Sequence, residues 1–361
     1  MERKLEIVFL VSNDHSTDQR MRRICLTLHN RGHHVLVVGR KLNIQGEAQQ
    51  TPYKLQLLEL SYYHGPLFYF MLMKRQIEYV QRLAKVDIIS SVDSDTILAA
   101  SKIAKTMEAI HIHDSHEWFT EVPELKGKPV KRLVWKWAER KGFKTVRSAY
   151  TVSETLKTYY DRISAFELQI IPNYPKSEAP VTKQDKKVDI IYQGAINEGR
   201  CLEILLAVCA KEKFTLRLCG EGDLLEKLKS QYKNFNHIEF MGGIIPRDLH
   251  ALTCEARIGY NVLDNTSASY NGALPNKTFD YIQSEIPQII SNSKELTRIN
   301  TPLQFALETK TEMLDLTKQI KKLLDDGVKY QELYGNILQL KKRFIWEKVE
   351  EELIEIYEQY I

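Results

Sequence analysis

The chain has 361 residues, 43% of them hydrophobic and 27% charged, which is long enough for two globular domains with substantial cores. Its formal net charge of +4 is too small to indicate nucleic-acid binding, and its five scattered cysteines never form a CxxC pair, which argues against a disulfide scaffold or a zinc site. No stretch approaches the roughly 20 apolar residues of a membrane span, so we expect a cytoplasmic protein.

The first half of the chain alternates predicted strands and helices. Residues 5–11 are an apolar run typical of a buried parallel strand, residues 18–31 form a helix that ends at Gly32, and residues 35–38 form a second strand. This opening lacks the GxGxxG fingerprint, so a nicotinamide or flavin cofactor loses its best support. Further strands are predicted near residues 55–60, 87–90, 109–112 and 149–153, with helices between them.

The segment PKSEAPVTKQDKK is the only clear linker-like stretch, and the alternation restarts after it. Strands are predicted at 188–192, 214–218, 238–241, 256–262 and 288–291, and the remainder is predicted to be helical. We therefore predict a first domain at residues 1–172, a linker at 173–187 and a second domain at 188–339. Both are doubly wound α/β domains, which bind ligands at the carboxyl ends of their strands, and two facing domains leave a cleft.

Polar residues follow the first predicted strand. Asn13 and Asp14 lie in the turn, with Asp18 and Arg20 just beyond it. These residues either contact a ligand or cap the helix and carry surface charge.

The segment HIHDSHEWF, residues 111–119, ends another strand of the first domain. We interpret it as a sugar-binding loop in which Asp114 or His116 hydrogen-bonds hydroxyl groups. A metal site formed by His113, Asp114, His116 and Glu117 is one alternative, and a capping loop with an incidental histidine is another. The carboxylates of Asp93 and Asp95 match the spacing of Mg²⁺-binding Asp-x-Asp pairs, but helix capping is favoured because the phosphate candidates lie in the other domain.

Two glycine turns of the second domain follow predicted strands. In YQGAINEGR, Gly194 and Gly199 permit a ligand to approach the backbone closely, and Arg200 could hold a phosphate at the start of the next helix. LCGEGDLLEKL carries the Gly220 and Gly222 turn after a strand. Each turn alone is weak evidence for a nucleotide site, but both precede a more informative stretch.

That stretch is SYNGALPNKTFDYIQSEIPQIIS, residues 269–291, predicted as a loop, a short helix capped by Asn276, and a strand. A helix N-terminus with Lys277 beside it suits an anion. Asp280, one turn on, could accept hydrogen bonds from a sugar diol. We predict a nucleotide-diphosphate site, with Lys277 on phosphate and Asp280 on ribose. The alternative is an ordinary helix cap with solvated charges.

The predicted helix between Lys128 and Lys144, KPVKRLVWKWAERKGFK, interleaves basic and aromatic residues. One interpretation is contact with an anionic membrane surface. The other is an ordinary amphipathic helix that packs its aromatic side chains inside.

The motifs in this order resemble the retaining glycosyltransferases of the GT-B fold, most closely the family 4 type. The resemblance spans nearly the whole chain and rests on the DxR of the first helix, DSHE at 114–117, TVSETL at 151–156, IIPN at 170–173 and the three motifs of the second domain. It implies two Rossmann-like domains facing a central cleft, with a C-terminal helix at about 340–361 that returns to the first domain.

The resemblance also implies roles for the candidate residues. A nucleotide-sugar donor would occupy the second domain and a glycan or lipid-linked saccharide acceptor the first, in polysaccharide biosynthesis. The catalytic residues would be Asp114, His116 and Lys277, with charge neutralisation in place of a metal or other cofactor. The donor-binding set would be Gly194, Arg200, Gly220, Gly222, Asn276, Lys277 and Asp280, and the acceptor-binding set Asn13, Asp14, Asp18, Arg20 and Glu117.

Some positions depart from the family pattern. Two glutamates usually stand eight positions apart where this chain has Gly272 and Asp280, a basic residue is common at the position of Ala195, and Glu285 replaces a usual glycine. A nucleotide-sugar epimerase and a non-catalytic nucleotide-binding relative are therefore the alternative functions.

Overall fold

The alternating pattern forms two parallel sheets in the computed structural model, which describes residues 3–15, 18–41, 50–62, 64–122, 125–179, 185–264 and 266–361. The chain divides into one unit of Met1–Asn173 with Val349–Ile361 and a second unit of Tyr174–Lys348. Residues 180–184 of the predicted linker lie outside the described residues.

The first unit is built on a seven-stranded parallel sheet in the order β3-β2-β1-β4-β5-β6-β7. Its strands are β1 (Glu6–Leu10), β2 (His34–Arg40), β3 (Lys54–Leu58), β4 (Ile88–Val92), β5 (Ile110–Ser115), β6 (Val146–Thr151) and β7 (Gln169–Ile170). The strand order reverses between β1 and β4. The carboxyl ends of these two strands form the switch point at which such sheets bind ligands.

Five helices connect these strands: α1 (Gln19–Asn30), α2 (Gly65–Val80), α3 (Asp93–Met107), α4 (Pro129–Phe143) and α5 (Glu154–Tyr160). α1 begins where Asp18 accepts a hydrogen bond of 2.9 Å from the backbone N–H of Met21. Its buried face carries Met21, Ile24 and Leu28, as the helical spacing predicts.

The second unit is built on a six-stranded parallel sheet in the order β10-β9-β8-β11-β12-β13. Its strands are β8 (Val188–Gln193), β9 (Leu216–Cys219), β10 (Ile238–Gly242), β11 (Ala256–Asn261), β12 (Gln288–Ser291) and β13 (Ala306–Thr309). Its helices are α6 (Leu202–Glu212), α7 (Leu225–Tyr232), α8 (Pro246–Cys254), α9 (Ala268–Asn271), α10 (Asn276–Gln283), α11 (Lys294–Asn300), α12 (Met313–Asp325) and α13 (Gly327–Leu340). The switch point lies between β8 and β11. The prediction of two doubly wound α/β domains is confirmed.

Three features differ from the sequence expectation. The residues beyond 291 are predicted to be helical, but Ala306–Thr309 form β13, a four-residue strand too short for a periodic pattern. Asn276 is the first residue of α10, and Pro275 occupies the N-cap position without a side-chain hydrogen bond. The segment that belongs to the first unit begins at Val349 and not near residue 340, because α13 buries Leu333 and Ile337 in the second unit.

The C-terminal helix α14 (Glu350–Glu358) packs against α1 in the first unit. Tyr357 is buried, with its hydroxyl 3.2 Å from Ser90 Oγ and 3.0 Å from the Tyr150 hydroxyl. Arg31, the C-cap residue of α1, donates from Nε to Glu358 at 2.9 Å. The five cysteines all carry free thiols. Of the helices in the described ranges, none combines the length and the apolar character that crossing a bilayer requires.

Candidate functional site

A buried ion pair lies at the carboxyl edge of the first sheet. Arg20, on the first turn of α1, donates from Nη2 to Asp114 Oδ1 at 2.9 Å and from Nη1 to the Ile171 carbonyl at 2.8 Å. Burial opposes ionisation of Asp114, but the positive charges of Arg20 and His116 outweigh it and hold the pKa of this carboxyl well below its usual range. Both partners are almost completely enclosed, and contact of either with a ligand stays a prediction.

His116 lies on this ion pair with its side chain 18% exposed. Its Nε2 is 2.7 Å from Asp114 Oδ2, and its backbone N–H donates to Asp93 Oδ1 at 2.7 Å. Burial alone would lower the pKa of His116, but the carboxylates of Asp114 and Asp93 raise it to about 9. These carboxylates therefore favour the cationic form of the ring. Arg20 Nε donates towards the same ring nitrogen at 2.8 Å, a contact that suits the neutral ring, and towards Asp114 Oδ2 at 3.3 Å.

Asp93 is the second carboxylate at His116, with Oδ2 3.7 Å from Nδ1 of the ring. It has a φ of 55°, in the left-handed region that favours glycine, and it is the first residue of α3, so it is not the helix cap predicted from the sequence. Burial raises the pKa of Asp93 to about 6. Sequence spacing gives no indication of this role, because 23 residues and an entire helix separate Asp93 from His116. The strained backbone indicates a functional constraint.

The remaining acceptor candidates of the first unit surround the turn after β1. Asn13 donates from Nδ2 to Asp18 Oδ2 at 2.9 Å, while Asp18 also caps α1. This arrangement supports the capping interpretation for Asp18. Asp14 is buried in the same turn, whereas Glu117 is exposed beside His116.

Two cations lie over tyrosine rings in the second unit. Lys277, 8% exposed, has Nζ 3.7 Å from the centre of the Tyr192 ring, and the Arg200 guanidinium lies 5.1 Å from that of Tyr270. Burial and the charge of Arg200 hold the pKa of Lys277 well below its usual range. In the part of the chain that the structure describes, neither cation forms an ion pair, and Arg200 Nε is buried without a hydrogen-bond partner. Such a site favours an anion.

The position of this cation pair follows from the fold. Tyr192 belongs to β8, whose carboxyl end lies at the switch point, and Lys277 is the second residue of α10, where backbone N–H groups are directed outward. A Cβ built on Gly194, directly after β8, would be 3.6 Å from Lys277 Nζ. The two tyrosines that support the cations were not predicted. Tyr192 falls inside the YQGAINEGR motif and Tyr270 inside the segment 269–291, but neither motif indicates a ring that contacts a cation.

The glycines of the second turn serve the packing of the protein. A Cβ on Gly220 would lie 1.9 Å from the carbonyl oxygen of Gly194, and one on Gly222 would lie 2.3 Å from Asn197 Oδ1. These glycines therefore let two loops pack together, and their predicted contact with a donor stays a prediction. Gly199 likewise makes room for the Tyr270 ring, 2.4 Å from the position that a Cβ would take.

Asp280 lies one turn into α10 and is held by a polar chain. Gln193 Nε2 donates to Asp280 Oδ2 at 2.9 Å, and Thr253 Oγ1 donates to Gln193 Oε1 at 2.8 Å. Gln193 is the last residue of β8, so this chain fixes the carboxylate near the cation pair. The exposed Asn276 precedes Lys277 at the start of the same helix. Among the described residues, no group of three or more His, Cys, Asp or Glu side chains is arranged to hold a metal ion.

Comparisons with known proteins identify the architecture. No family model matches the sequence, and no curated protein sequence matches it. The structure is similar to sucrose-phosphate synthase from Thermosynechococcus elongatus, with a TM-score of 0.82, 16% identity and 99% of each chain covered. It is also similar to the Anabaena protein HepE in complex with UDP and glucose, with a TM-score of 0.77, 12% identity, and 98% of this chain and 100% of that chain covered.

A third similar structure is the lipopolysaccharide outer core galactosyltransferase WaaB, with a TM-score of 0.66, 15% identity, and 99% of this chain and 100% of that chain covered. At these identities the similarity establishes the fold alone. The chain has the GT-B architecture found in these glycosyltransferases, as the sequence resemblance predicts.

Proposed function

We propose that this protein is a glycosyltransferase that moves a sugar from a nucleotide-diphosphate sugar to a glycan or lipid-linked acceptor, with retention of configuration. The observation that carries the proposal is the pair of cations, Lys277 and Arg200, at the switch point of the second sheet. Each lies over a tyrosine ring, and neither forms an ion pair within the described ranges. A GT-B fold with two basic side chains at this switch point suits a diphosphate.

Breaking the glycosidic bond to a nucleotide diphosphate leaves negative charge on the leaving phosphate. Lys277 and Arg200 would stabilise that charge as it develops, assisted by the backbone N–H groups at the start of α10. Two positive side chains at this position supply the charge that a divalent metal provides elsewhere. We therefore propose metal-independent transfer.

We assign Asp280 to the ribose hydroxyls of the donor, because Gln193 and Thr253 fix its carboxylate near the cation pair. Structures of HepE in complexes with UDP and with UDP-glucose make uracil the first nucleobase to test. The departure at Gly272 remains: this position ends α9 and supplies no carboxylate.

In the first unit we assign sugar contact to His116, which is 18% exposed beside the enclosed pair of Arg20 and Asp114. Arg20 and Asp114 are positioning residues, because they are enclosed and act through His116. Asn13, Asp14 and Glu117 remain candidates for the acceptor. We further propose a role in cell-surface polysaccharide biosynthesis, with the protein at the cytoplasmic face of the membrane and the segment from Lys128 to Lys144 as its contact.

A thermal-shift screen of uridine, guanosine, adenosine and cytidine diphosphates tests the donor site, with EDTA or with magnesium. A ligand that binds the native state raises the melting temperature by mass action. We expect one diphosphate to do so in EDTA, and Lys277→Ala to remove most of that shift. Absence of any shift would refute the site. A shift without turnover of any sugar donor would instead favour a non-catalytic relative.

A further inference from the structure

The helix α4 has two apolar faces. One faces the core and buries Ala138, Gly142 and Phe143. The other is formed by Val130, Leu133, Val134 and Trp137, which we call the α4 stripe, and these residues are 72%, 66%, 55% and 54% exposed. Their spacing of i, i+3, i+4 and i+7 puts them on one side of the helix, opposite the core. A surface helix normally carries polar residues there.

Exposed cations flank the α4 stripe, and the one acidic residue of this helix is buried. Lys131, Arg140, Lys141 and Lys144 are exposed and form no ion pair within the described part of the chain. Lys141 Nζ lies 4.6 Å from the centre of the Trp137 ring. The single acidic residue of α4, Glu139, is buried and accepts hydrogen bonds from the hydroxyls of Ser94 at 2.6 Å and Tyr159 at 2.8 Å.

The helix α2 contacts the core-facing side of α4 and carries exposed apolar side chains of its own. Tyr69 of α2 contacts Trp135 of α4 with ring centres 4.9 Å apart. On α2, Leu67 and Phe70 are 55% and 56% exposed at a spacing of three residues. Exposed apolar groups gathered in one region mark an interaction surface, whereas isolated ones are common on any protein.

We propose that the α4 stripe and its flanking cations bind an anionic lipid bilayer, with Leu133 and Trp137 entering the boundary between headgroups and acyl chains. Charge complementarity selects this occupant, since each exposed lysine or arginine strengthens binding to an anionic surface. A second copy of this chain is disfavoured, because a two-fold contact through the α4 stripe would place like charges together. The inference deepens the membrane contact within the proposed function, but it does not depend on donor binding or transfer.

Co-sedimentation of the full chain with vesicles tests the proposal without any substrate. We expect binding to mixed phosphatidylcholine–phosphatidylglycerol vesicles and none to phosphatidylcholine alone, with a blue shift of tryptophan emission from Trp137. The variant Leu133→Ser with Trp137→Ser should reduce binding at least tenfold. A matched control, Leu314→Ser with Val328→Ser, removes two residues that are 84% and 83% exposed in the second unit and should leave binding unchanged.

Two further double variants test the contribution of charge to vesicle binding. Lys131→Glu with Lys144→Glu should abolish vesicle binding, whereas Lys227→Glu with Lys233→Glu changes the net charge equally and should retain it. Equal losses in both pairs, or no binding by the unaltered protein, would overturn the proposal. So would a concentration-dependent dimer, seen by analytical ultracentrifugation, that the variant of the α4 stripe disrupts. Nucleotide thermal shifts measured on the same variants keep this result separate from failure of the donor site.

Discussion

The surroundings of Lys277 disfavour its protonated form, and this has a measurable consequence. Burial and Arg200 lower its pKa, whereas a bound diphosphate would raise it. Binding of UDP should therefore take up a proton, and affinity should fall as the pH rises above the pKa of free Lys277. Isothermal titration in buffers of different ionisation enthalpy measures this uptake. The pH should be above about 7.5, where a terminal phosphate with a second pKa near 6 is already ionised.

Two substitutions make the origin of the proton explicit. Lys277→Ala should weaken UDP binding at least tenfold and remove the uptake. Lys277→Arg should bind UDP without uptake, because an arginine remains charged in either state. Unchanged proton uptake in the alanine variant would assign the proton to another group and contradict the role given to Lys277.

His116 gives a second prediction, which concerns stability. Its pKa is about 9 in the folded protein and about 6.5 in an unfolded chain, so the folded state binds an extra proton between these values. Its stabilisation is therefore complete below pH 6.5 and is lost as the pH rises towards 9. Solvent reaches 18% of the side chain and screens the interaction. We therefore expect the free energy of unfolding, measured with urea, to fall by about 2 kcal/mol between pH 6.5 and 9.

Substitution of Asp93 distinguishes its contribution to the pKa of His116 from that of Asp114. Asp93→Asn should keep a hydrogen bond to the His116 backbone and lower the pKa of the ring by about one unit in an NMR titration. The loss of stability between pH 6.5 and 9 should shrink accordingly. Glu154→Gln, an exposed carboxylate on α5, serves as the control and should change neither quantity. An unaltered His116 pKa in Asp93→Asn would remove Asp93 from the site.

At the scale of elements, the loops after β8 and β9 depend on glycine for packing. Gly220→Ala would press a methyl group against the Gly194 carbonyl, and Gly222→Ala would do the same at Asn197. Each should lower the free energy of unfolding by about 2–3 kcal/mol. Gly335→Ala, in the exposed middle of α13 with open space around it, should raise it by about 0.5–1 kcal/mol. Equal, small effects at all three positions in urea unfolding would contradict the packing role.

Other features of the elements show how much the sequence can predict. Elements such as α4 and the apolar strands are predictable because their apolar residues recur with a helical period or form a continuous run. The strand β13 has four residues and no period, so only pairing with β12 reveals it. Glu285 has a φ of 58°, which explains why the family pattern has glycine there. Here Lys341 Nζ, 2.9 Å from its carboxylate, and the Tyr334 hydroxyl hold the glutamate instead.

The candidate site was predictable only in part, for a similar reason. Lys277, Arg200 and Asp280 stand in motifs whose chemistry is visible in the sequence. The residues that contact the site residues are not in the same motifs. Tyr270 lies 70 residues from Arg200 along the chain, and Asp93 follows a different strand from His116. Contacts of this kind depend on the order of strands in the sheet, which a local pattern does not encode. For Arg20 and Asp114, the sequence shows that the side chains are charged, but only the structure shows that they are enclosed.

For the whole molecule, the first unit is assembled from two distant parts of the chain. Residues 349–361 return to it and bury Leu353, Ile356 and Tyr357, each 0% exposed. Fully burying one such side chain contributes about 1.5–3 kcal/mol, so together they rival the total stability of a domain, about 5–15 kcal/mol. The first unit should therefore unfold without its C-terminal segment.

Calorimetry of point variants tests this dependence without truncating the chain. Leu353→Ala should lower the melting temperature of the first unit by roughly 5–15 °C, because it leaves a cavity that costs about 2–5 kcal/mol. The adjacent exposed Glu352→Ala should leave it unchanged. The nucleotide that binds the second unit assigns the transitions, since it raises only that unit's melting temperature. If Leu353→Ala shifted only the nucleotide-sensitive transition, the C-terminal helix would stabilise the second unit, and the division of the chain at Val349 would be wrong.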